Sequence, residues 1–438
     1  MATSSPNPGT ITEAEQRRQL RRAVLASTIG TAIEWYDFFL YSSVTGLIFA
    51  HLFFPRADPF TGLLDAFGVY AVGFVARPIG AAIFGHYGDR LGRKAALVAT
   101  LLLMGIGTFL VALVPGYQSI GIWGGIILTL LRFIQGIGVG GEWGGSVLLA
   151  MEWARSNQHR GFIASWPQFG VPAGLFLANL AVLGFSSVSG AQFSTWGWRI
   201  PFLLSAVLVA LGLYIRLGIE ETPVFARLLA ERRIERAPVL EVIRRQPREI
   251  ILTALCRMAE QAPFYLFTAF VFAYGTEMLH LNRDFLLLSV LAAAVLSFLS
   301  TPFFGHLSDR FGRKRVYMTG AALTAAYGFA YFRMLDTRIS ALVALAIVLS
   351  LVPHDIMYGP QAALIAESFR GPLRYSGASL GYQIASIFAG GMALPVSTAL
   401  LAWAHNKSWP VSLYMISFVI ITALSVILAE ETYKKAEV

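Results

Sequence analysis

Twelve long apolar runs dominate this sequence, and no water-soluble fold can bury them all. Windows of about 19 residues place them near 24–50, 66–86, 95–115, 121–150, 162–186, 198–217, 250–277, 285–304, 315–334, 340–366, 377–402 and 409–429. Each reaches the roughly 20 residues that a helix needs to cross the hydrocarbon of a bilayer. Charged residues make up only 13% of the chain, about half the share usual in soluble domains. Transmembrane strands would be about ten residues long and alternate apolar with polar; these runs do neither. The expected fold class is an all-α polytopic membrane protein with twelve transmembrane helices, its partner the lipid bilayer.

Orientation follows from the 34 basic residues. With an even number of spans, both tails share one side. That side holds 24 of them, among them Arg17, Arg18, Arg21, Arg22, Arg90, Arg93, Lys94, Arg155, Arg160, Arg232, Arg233, Arg236, Arg310, Arg313, Lys314, Arg370, Arg374, Lys434 and Lys435, against six (Arg56, Arg199, Arg283, Arg333, Arg338 and Lys407) on the other side. Arg77, Arg132, Arg216 and Arg257 fall within spans. Positively charged loops stay cytoplasmic, so both termini are expected inside, in the inner membrane if the source is bacterial. The net charge of +9 is therefore a topology signal, and no nucleic-acid partner is expected. Met1–Arg22 is polar and lacks the apolar core of a signal peptide. Cys256, the single cysteine, excludes an internal disulfide, and no cofactor or metal site is read from the sequence.

Two halves of the chain repeat each other. Gly85-His86-Tyr87-Gly88-Asp89-Arg90-Leu91-Gly92-Arg93-Lys94 returns as Gly305-His306-Leu307-Ser308-Asp309-Arg310-Phe311-Gly312-Arg313-Lys314. Glu152 and Gln168 return as Glu367 and Gln383, and Ile219-Glu220-Glu221-Thr222 as Ala429-Glu430-Glu431-Thr432. Ordered matches at equivalent loops imply duplication. The division expected is a tail at 1–22, a six-helix bundle at 23–217, a charged linker at 218–249, a second bundle at 250–429 and a tail at 430–438.

Eight ionised side chains lie well inside spans: Glu34, Asp37, Arg77, Arg132, Glu142, Arg257, Glu260 and Asp355, with His354 beside the last. Facing lipid, they would together cost roughly 20–28 kcal/mol, more than the usual fold margin of about 5–15 kcal/mol. They are expected to face one another or a wet cavity between the halves. Glu34 and Asp37, three apart, share one helix face; two carboxylates in a dehydrated site repel, which favours holding a proton there. Arg257 and Glu260, also three apart, could neutralise each other. Pro263, and Pro353 with Pro360, mark places where spans 7 and 10 are expected to break and bind ligand. Gln135, Gln168 and Gln383 add neutral hydrogen bonding at cavity depth. Gly136, Gly140 and Gly144, with Gly138, Gly141 and Gly145, read as close helix packing.

Parallel six-helix repeats and the G-x-x-x-D-R-x-G-R-K loop resemble the major facilitator superfamily. More narrowly, Ile33-Glu34-Trp35-Tyr36-Asp37-Phe38, Arg77-Pro78-Ile79-Gly80, Gly140-Gly141-Glu142-Trp143-Gly144-Gly145 and Trp196-Gly197-Trp198-Arg199-Ile200-Pro201-Phe202 resemble its metabolite:proton symporter family. Arg257-x-x-Glu260, His354-Asp355 and Arg374-Tyr375-Ser376-Gly377-Ala378 look most like the shikimate-transporter branch. The resemblance implies two pseudo-symmetric six-helix bundles and an acid–arginine pair in the cavity, with Arg132 as partner to Asp37 and Glu34 in proton coupling. It also implies that Asp89 caps a helix of the opposite half.

Substrate contacts are expected from Arg77, Gln135, Glu142, Gln168, Arg257, His354, Asp355 and Gln383. Gating is expected from Asp89, Arg90, Arg93, Glu152, Arg160 and Glu221, and from Asp309, Arg310, Arg313, Glu367, Arg374 and Glu431. Three buried guanidiniums favour an anion, because arginine forks match carboxylates. The expected activity is proton-coupled import of a small organic acid: a shikimate-like hydroxylated monocarboxylate, then a di- or tricarboxylate or an aromatic acid. The alternatives are a transporter-like sensor that binds without translocating and a proton-coupled drug antiporter. No enzyme is expected, since there is no P-loop, no H-E-x-x-H and no nucleophile–base–orienter set. One two-lobed bundle needs no second copy, so a monomer is expected.

Overall fold

A computed structural model describes residues 13–55, 59–154, 159–231, 235, 237–369 and 371–432. Arg56, Arg155, Arg232, Arg233, Arg236, Arg370, Lys434 and Lys435, counted above for orientation, lie outside the described residues, as do 1–12 and 433–438. The twelve spans are helical, and no strand occurs among the described residues. Span 1 runs Glu13–Val44 and continues through a π turn, Thr45–Phe49, into Ala50–Phe53. Spans 2 to 6 are Pro59–Leu91, Arg93–Leu113, Trp123–Glu152, Arg160–Ser189 and Arg199–Leu217. Span 7 is built in pieces, Pro247–Cys256 and Met258–Tyr265, followed by π turns at Leu266–Phe270 and Tyr274–Met278. Spans 8 to 10 are Arg283–Phe311, Arg313–Asp336 and Ser340–Glu367. Span 11 joins Arg374–Ala385 to Ala393–Trp403 through the π segment Ser386–Gly391, and span 12 is Trp409–Leu428.

Among the described residues, nine helices are long and apolar enough by themselves to cross a bilayer. Spans 1, 7 and 9 fall short of that standard for chemical reasons. Span 1 carries Glu34 and Asp37, span 7 is interrupted at Arg257, and span 9 carries Tyr317, Thr324, Tyr327 and two glycines. Three expectations change. The first helix starts at Glu13, inside the stretch read as a tail, because its polar first turns carry no hydropathy signal. The linker holds two short helices, Pro223–Ala230 and Pro238–Arg245, each with proline in its first turn, where the missing N–H costs nothing. Span 10 is continuous through Pro353 and Pro360; inside a bundle, neighbouring helices compensate the lost backbone bond.

Spans 1–6 and spans 7–12 form two six-helix bundles. Span 2 lies along span 11 and span 5 along span 8, which joins the bundles on two sides. Within the first bundle, span 4 presses on span 2 through glycine: a methyl group on Gly136 would strike the Gly73 carbonyl, and one on Gly140 the Arg77 carbonyl. Gly92 and Gly312, between the arginines of the repeated loop, have φ of 111° and 95°. Only glycine adopts that backbone cheaply, so the sharp turn from span 2 to 3, and from 8 to 9, is written into the motif.

Candidate functional site

Two charged layers lie between the bundles, one at the end that carries the basic loops and one at mid-depth.

At the basic end each half builds the same network. Arg93 donates to Asp89 (3.0 Å), Glu152 (3.3 Å) and the Gly88 carbonyl (2.7 Å). Arg313 donates to Asp309 (2.7 Å), Glu367 (3.3 Å) and Ser308 Oγ (2.8 Å). Glu221 accepts from the backbone N–H of Lys94 (3.2 Å), and Glu431 from those of Arg313 (3.2 Å) and Lys314 (3.1 Å), so each caps the helix after the glycine turn. Thr222 and Thr432, equivalent in the repeat, donate to Glu152 and Glu367. The networks cross between halves through the aspartates. Asp89 accepts from the N–H (3.0 Å) and hydroxyl (2.8 Å) of Ser376, at the start of span 11. Asp309 accepts from the N–H groups of Gly161 (2.8 Å) and Phe162 (2.9 Å), at the start of span 5. Unpaired N–H groups and the helix dipole favour an anion at that position. Arg160 is buried and lines a cavity beside Glu367 and Arg374, whose Nε donates to the Phe369 carbonyl (3.2 Å). Arg90 and Arg310 are exposed, Arg90 touching His86 (3.2 Å).

At mid-depth the expected ionic residues are all buried: Asp37, Arg77 and Arg257 are 1% exposed, Arg132 2%. None faces lipid. Their pairing differs from the expected one. Arg132 makes no ion pair with Asp37; its guanidinium lies over the rings of Tyr41 (4.4 Å), Phe38 (4.6 Å) and Tyr70 (5.0 Å) and donates to Gln135 (3.3 Å). Its Nε and one terminal nitrogen have no hydrogen-bond partner. Arg77 sits over Phe74 (4.2 Å) and Phe38 (4.5 Å), and none of its three nitrogens makes a hydrogen bond. Both Asp37 oxygens and one of Glu34 are likewise buried without a donor. Phe38, which follows Asp37 in the chain, has both guanidiniums close to its ring centroid, at 4.5 and 4.6 Å. Cation–π contact of this kind holds a desolvated guanidinium in place while leaving its in-plane donors unused. Gln135 is anchored by donating to Thr108 (2.8 Å).

Glu142 is turned away from this group. It pairs with Arg216 of span 6 and accepts from Thr100 (3.0 Å) and Ser146 (2.7 Å), all within the first bundle. Span-by-span reading missed Arg216, because a basic residue near a span end normally reaches headgroups; here it is 2% exposed. In the second bundle, Arg257 is held by Glu260 (3.4 Å), Ser386 (3.2 Å) and the Tyr382 carbonyl, with its guanidinium on the Tyr382 ring (3.2 Å). His354 bonds Asp355 (2.8 Å) through Nδ1 and Glu260 (3.1 Å) through Nε2, and Asp355 also accepts from Ser300. These groups are engaged with one another, so His354 and Asp355 offer no free polar atom to a ligand in this conformation.

Contacts between the bundles seal the centre. Trp143 stacks on Tyr382, Gln168 donates to the Tyr358 carbonyl (3.3 Å), and Gln383 to the Val139 carbonyl (3.4 Å). Phe38 and Phe74 meet Tyr265 (5.9 and 5.2 Å), and Phe39 meets Phe264 (5.7 Å). At the far end Arg283 of span 8 covers Phe193, after span 5 (5.2 Å). The chemistry present is that of an occluded polar centre with spare cationic donors and spare carboxylate acceptors.

Known proteins agree with this architecture. Residues 23–251 match the sugar (and other) transporter family and residues 279–437 the Major Facilitator Superfamily. The chain is 38% identical to the shikimate transporter of Escherichia coli (strain K12) over 441 residues, 99% of each chain. It is 38% identical to the inner membrane metabolite transport protein YhjE of the same organism, over 94% of each. The proline/betaine transporter of Salmonella typhimurium is 31% identical over 89% of this chain and 79% of its own. Among solved structures, the proton:xylose symporter XylE bound to 6-bromo-6-deoxy-D-glucose superposes with a TM-score of 0.74 over 95% of this chain and 97% of that one. A partially occluded inward-open form of XylE from E. coli gives 0.72 over 96% and 100%. At 18–19% identity these two speak for the fold. Two helix bundles, a doubled loop motif and full-length relatives converge: this chain is a membrane transporter, not an enzyme, and belongs to the major facilitator superfamily.

Proposed function

We propose that the protein imports a small organic acid together with protons, by alternating access of the central site to the two faces of the membrane. One observation carries this reading: the sealed centre holds guanidinium donors on Arg77 and Arg132 and carboxylate acceptors on Asp37 and Glu34 with no hydrogen-bond partner. Buried charged groups left this way are costly, and a ligand that supplies the missing partners recovers that cost. A carboxylate is such a ligand for the arginines, since it accepts two parallel N–H bonds from one guanidinium. A proton is the corresponding ligand for Asp37, assisted by Glu34. Filling the arginines with an anion adds negative charge beside Asp37, so each ligand favours the other, and that is the coupling.

The basic end is taken as cytoplasmic, with both termini inside and the chain in the inner membrane as a monomer. Bundles 23–217 and 250–429 rock about the centre. The Asp89–Ser376 and Asp309–Gly161 contacts close the cytoplasmic side and part when it opens. A hydroxylated monocarboxylate such as shikimate leads, by similarity to a relative that covers the whole chain. A zwitterion is the second reading, since the rings of Phe38, Tyr41, Tyr70 and Phe74 around orphan carboxylates would also suit a quaternary ammonium. Radiolabelled uptake into proteoliposomes under an imposed pH gradient, across shikimate, aromatic acids, di- and tricarboxylates, proline and glycine betaine, tests both. Accumulation of an acid that an ionophore abolishes supports the first reading; binding without uptake of any of them would leave only a sensor.

A further inference from the structure

The second bundle contains a charged cluster that the reading above does not use. His354 stands between two carboxylates, Asp355 (2.8 Å) and Glu260 (3.1 Å), each facing a different ring nitrogen. Two hydrogen bonds need two hydrogens. A neutral imidazole supplies one and a pair of ionised carboxylates none, so one extra proton must be present, on the ring or on one acid. The other carboxylate oxygens are engaged as well: Asp355 accepts from Ser300, and Glu260 from Gln361 (3.0 Å) and Arg257 (3.4 Å). With that proton the triad carries one negative charge, which Arg257 balances. Without it, a bare ring nitrogen would face a carboxylate.

We infer that Asp355, His354 and Glu260 form a second proton-binding site, in the bundle opposite Asp37, and that its proton fastens span 7 to span 10. Asp355 is next to His354 in the chain, whereas Glu260 comes from span 7. Loss of the proton leaves one ring hydrogen for two carboxylates; with that hydrogen on Nδ1, toward Asp355, the His354–Glu260 bond is lost and Gln361 remains as the polar tie from span 10 to Glu260. Arg257 faces the triad from span 7, Tyr317 from span 9, Tyr358 from span 10 and Tyr382 from span 11. Phe264 and Tyr358 cover the imidazole faces, with centroids at 4.6 and 4.9 Å. A polar track leads away from the site. Gln361 donates to both Glu260 and Tyr317 (2.9 Å), and Tyr317 donates to the Cys256 carbonyl (2.9 Å). Cys256 lines a cavity of about 500 Å³ at the basic end, beside Arg160, Thr253, Glu367 and Arg374. The proton exchanges with that side of the membrane. The inference deepens the coupling part of the proposed function: two protonation sites, one per bundle, make two protons per cycle.

The test needs no substrate, so it stands apart from the choice of cargo. His354 is the one buried histidine of seven. In the full chain reconstituted in nanodiscs with ¹⁵N-histidine, it is the imidazole whose ring hydrogens exchange slowly, and the cluster should give up one proton as the pH is raised over the full range the nanodisc tolerates. Infrared difference spectra over the same range should show a paired carboxyl and imidazole change. That change should vanish in E260Q and H354N and persist in D37N. An unmutated protein in which neither the slow imidazole nor a buried carboxyl changes protonation over that range overturns the inference without recourse to any variant. So does a spectral change that survives E260Q or is abolished by D37N alone.

Discussion

Trp143 of span 4 and Tyr382 of span 11 lie face to face, ring centroids 3.7 Å apart and 12° from parallel. Trp143 also donates to Gln168 (2.8 Å), and Tyr382 carries Arg257 on its ring, so one stacked pair connects the polar residues of both halves. An aromatic pair of this kind contributes about 0.5–1.5 kcal/mol beyond burial. Replacing Trp143 with leucine should therefore shift the balance toward open conformations by roughly twofold to tenfold. The alkylation rate of a cysteine placed at the bundle interface, in a C256S background, reads that shift directly.

Asp89→Asn and Asp309→Asn should each slow transport severely while leaving the chain folded. Each carboxylate bridges its own half to a helix start of the other, through charge-assisted bonds of about 1.5–3 kcal/mol apiece. Initial uptake rates in proteoliposomes, alongside substrate binding, measure this. An unchanged rate in either variant removes the gating role.

Arg77→Gln and Glu142→Gln should fail in different ways. Arg77 has no internal hydrogen bond to lose, so its removal should weaken organic-acid binding at least tenfold, about 1.4 kcal/mol, with little change in the thermal midpoint. Glu142 is the partner of the buried Arg216, and uncovering that charge should cost about 3–5 kcal/mol of stability. Calorimetric binding and a melt on the same preparations separate the two.

Asp37→Asn should abolish accumulation driven by a pH gradient and retain exchange of labelled for unlabelled substrate. Neither Asp37 oxygen supports a hydrogen bond that the fold would miss. General misfolding of the variant, read from its elution profile and melt, would make Asp37 structural instead.

Much of this molecule was readable in the chain itself. Apolar run length gave all twelve spans, and the doubled D-R-x-G-R-K loop gave the paired networks, because both depend on residues close in sequence. Even Thr222 and Thr432 stood inside a repeated run whose acids drew attention first. What stayed hidden depends on how helices rotate against each other. Arg132 prefers the rings of Phe38, Tyr41 and Tyr70 to the carboxylate of Asp37, and that choice belongs to the packing of spans 1, 2 and 4. The Glu142–Arg216 pair joins spans 4 and 6 across a sequence gap that no periodicity connects. The start of the first helix at Glu13 was obscured for a simpler reason: its opening turns are polar, and a hydropathy window sees only the part that meets lipid.

The aspartates of the two basic-end networks have a joint effect that neither has singly. Each is clamped by its own arginine and reaches across to the first turn of a helix in the other half, at mirrored places on either side of one seam. On the gating role proposed above, parting one clasp while the other holds would gain no access and forfeit its bonds, so half-released arrangements should stay scarce. Both clasps should then release together, and both are built on the same repeated loop motif.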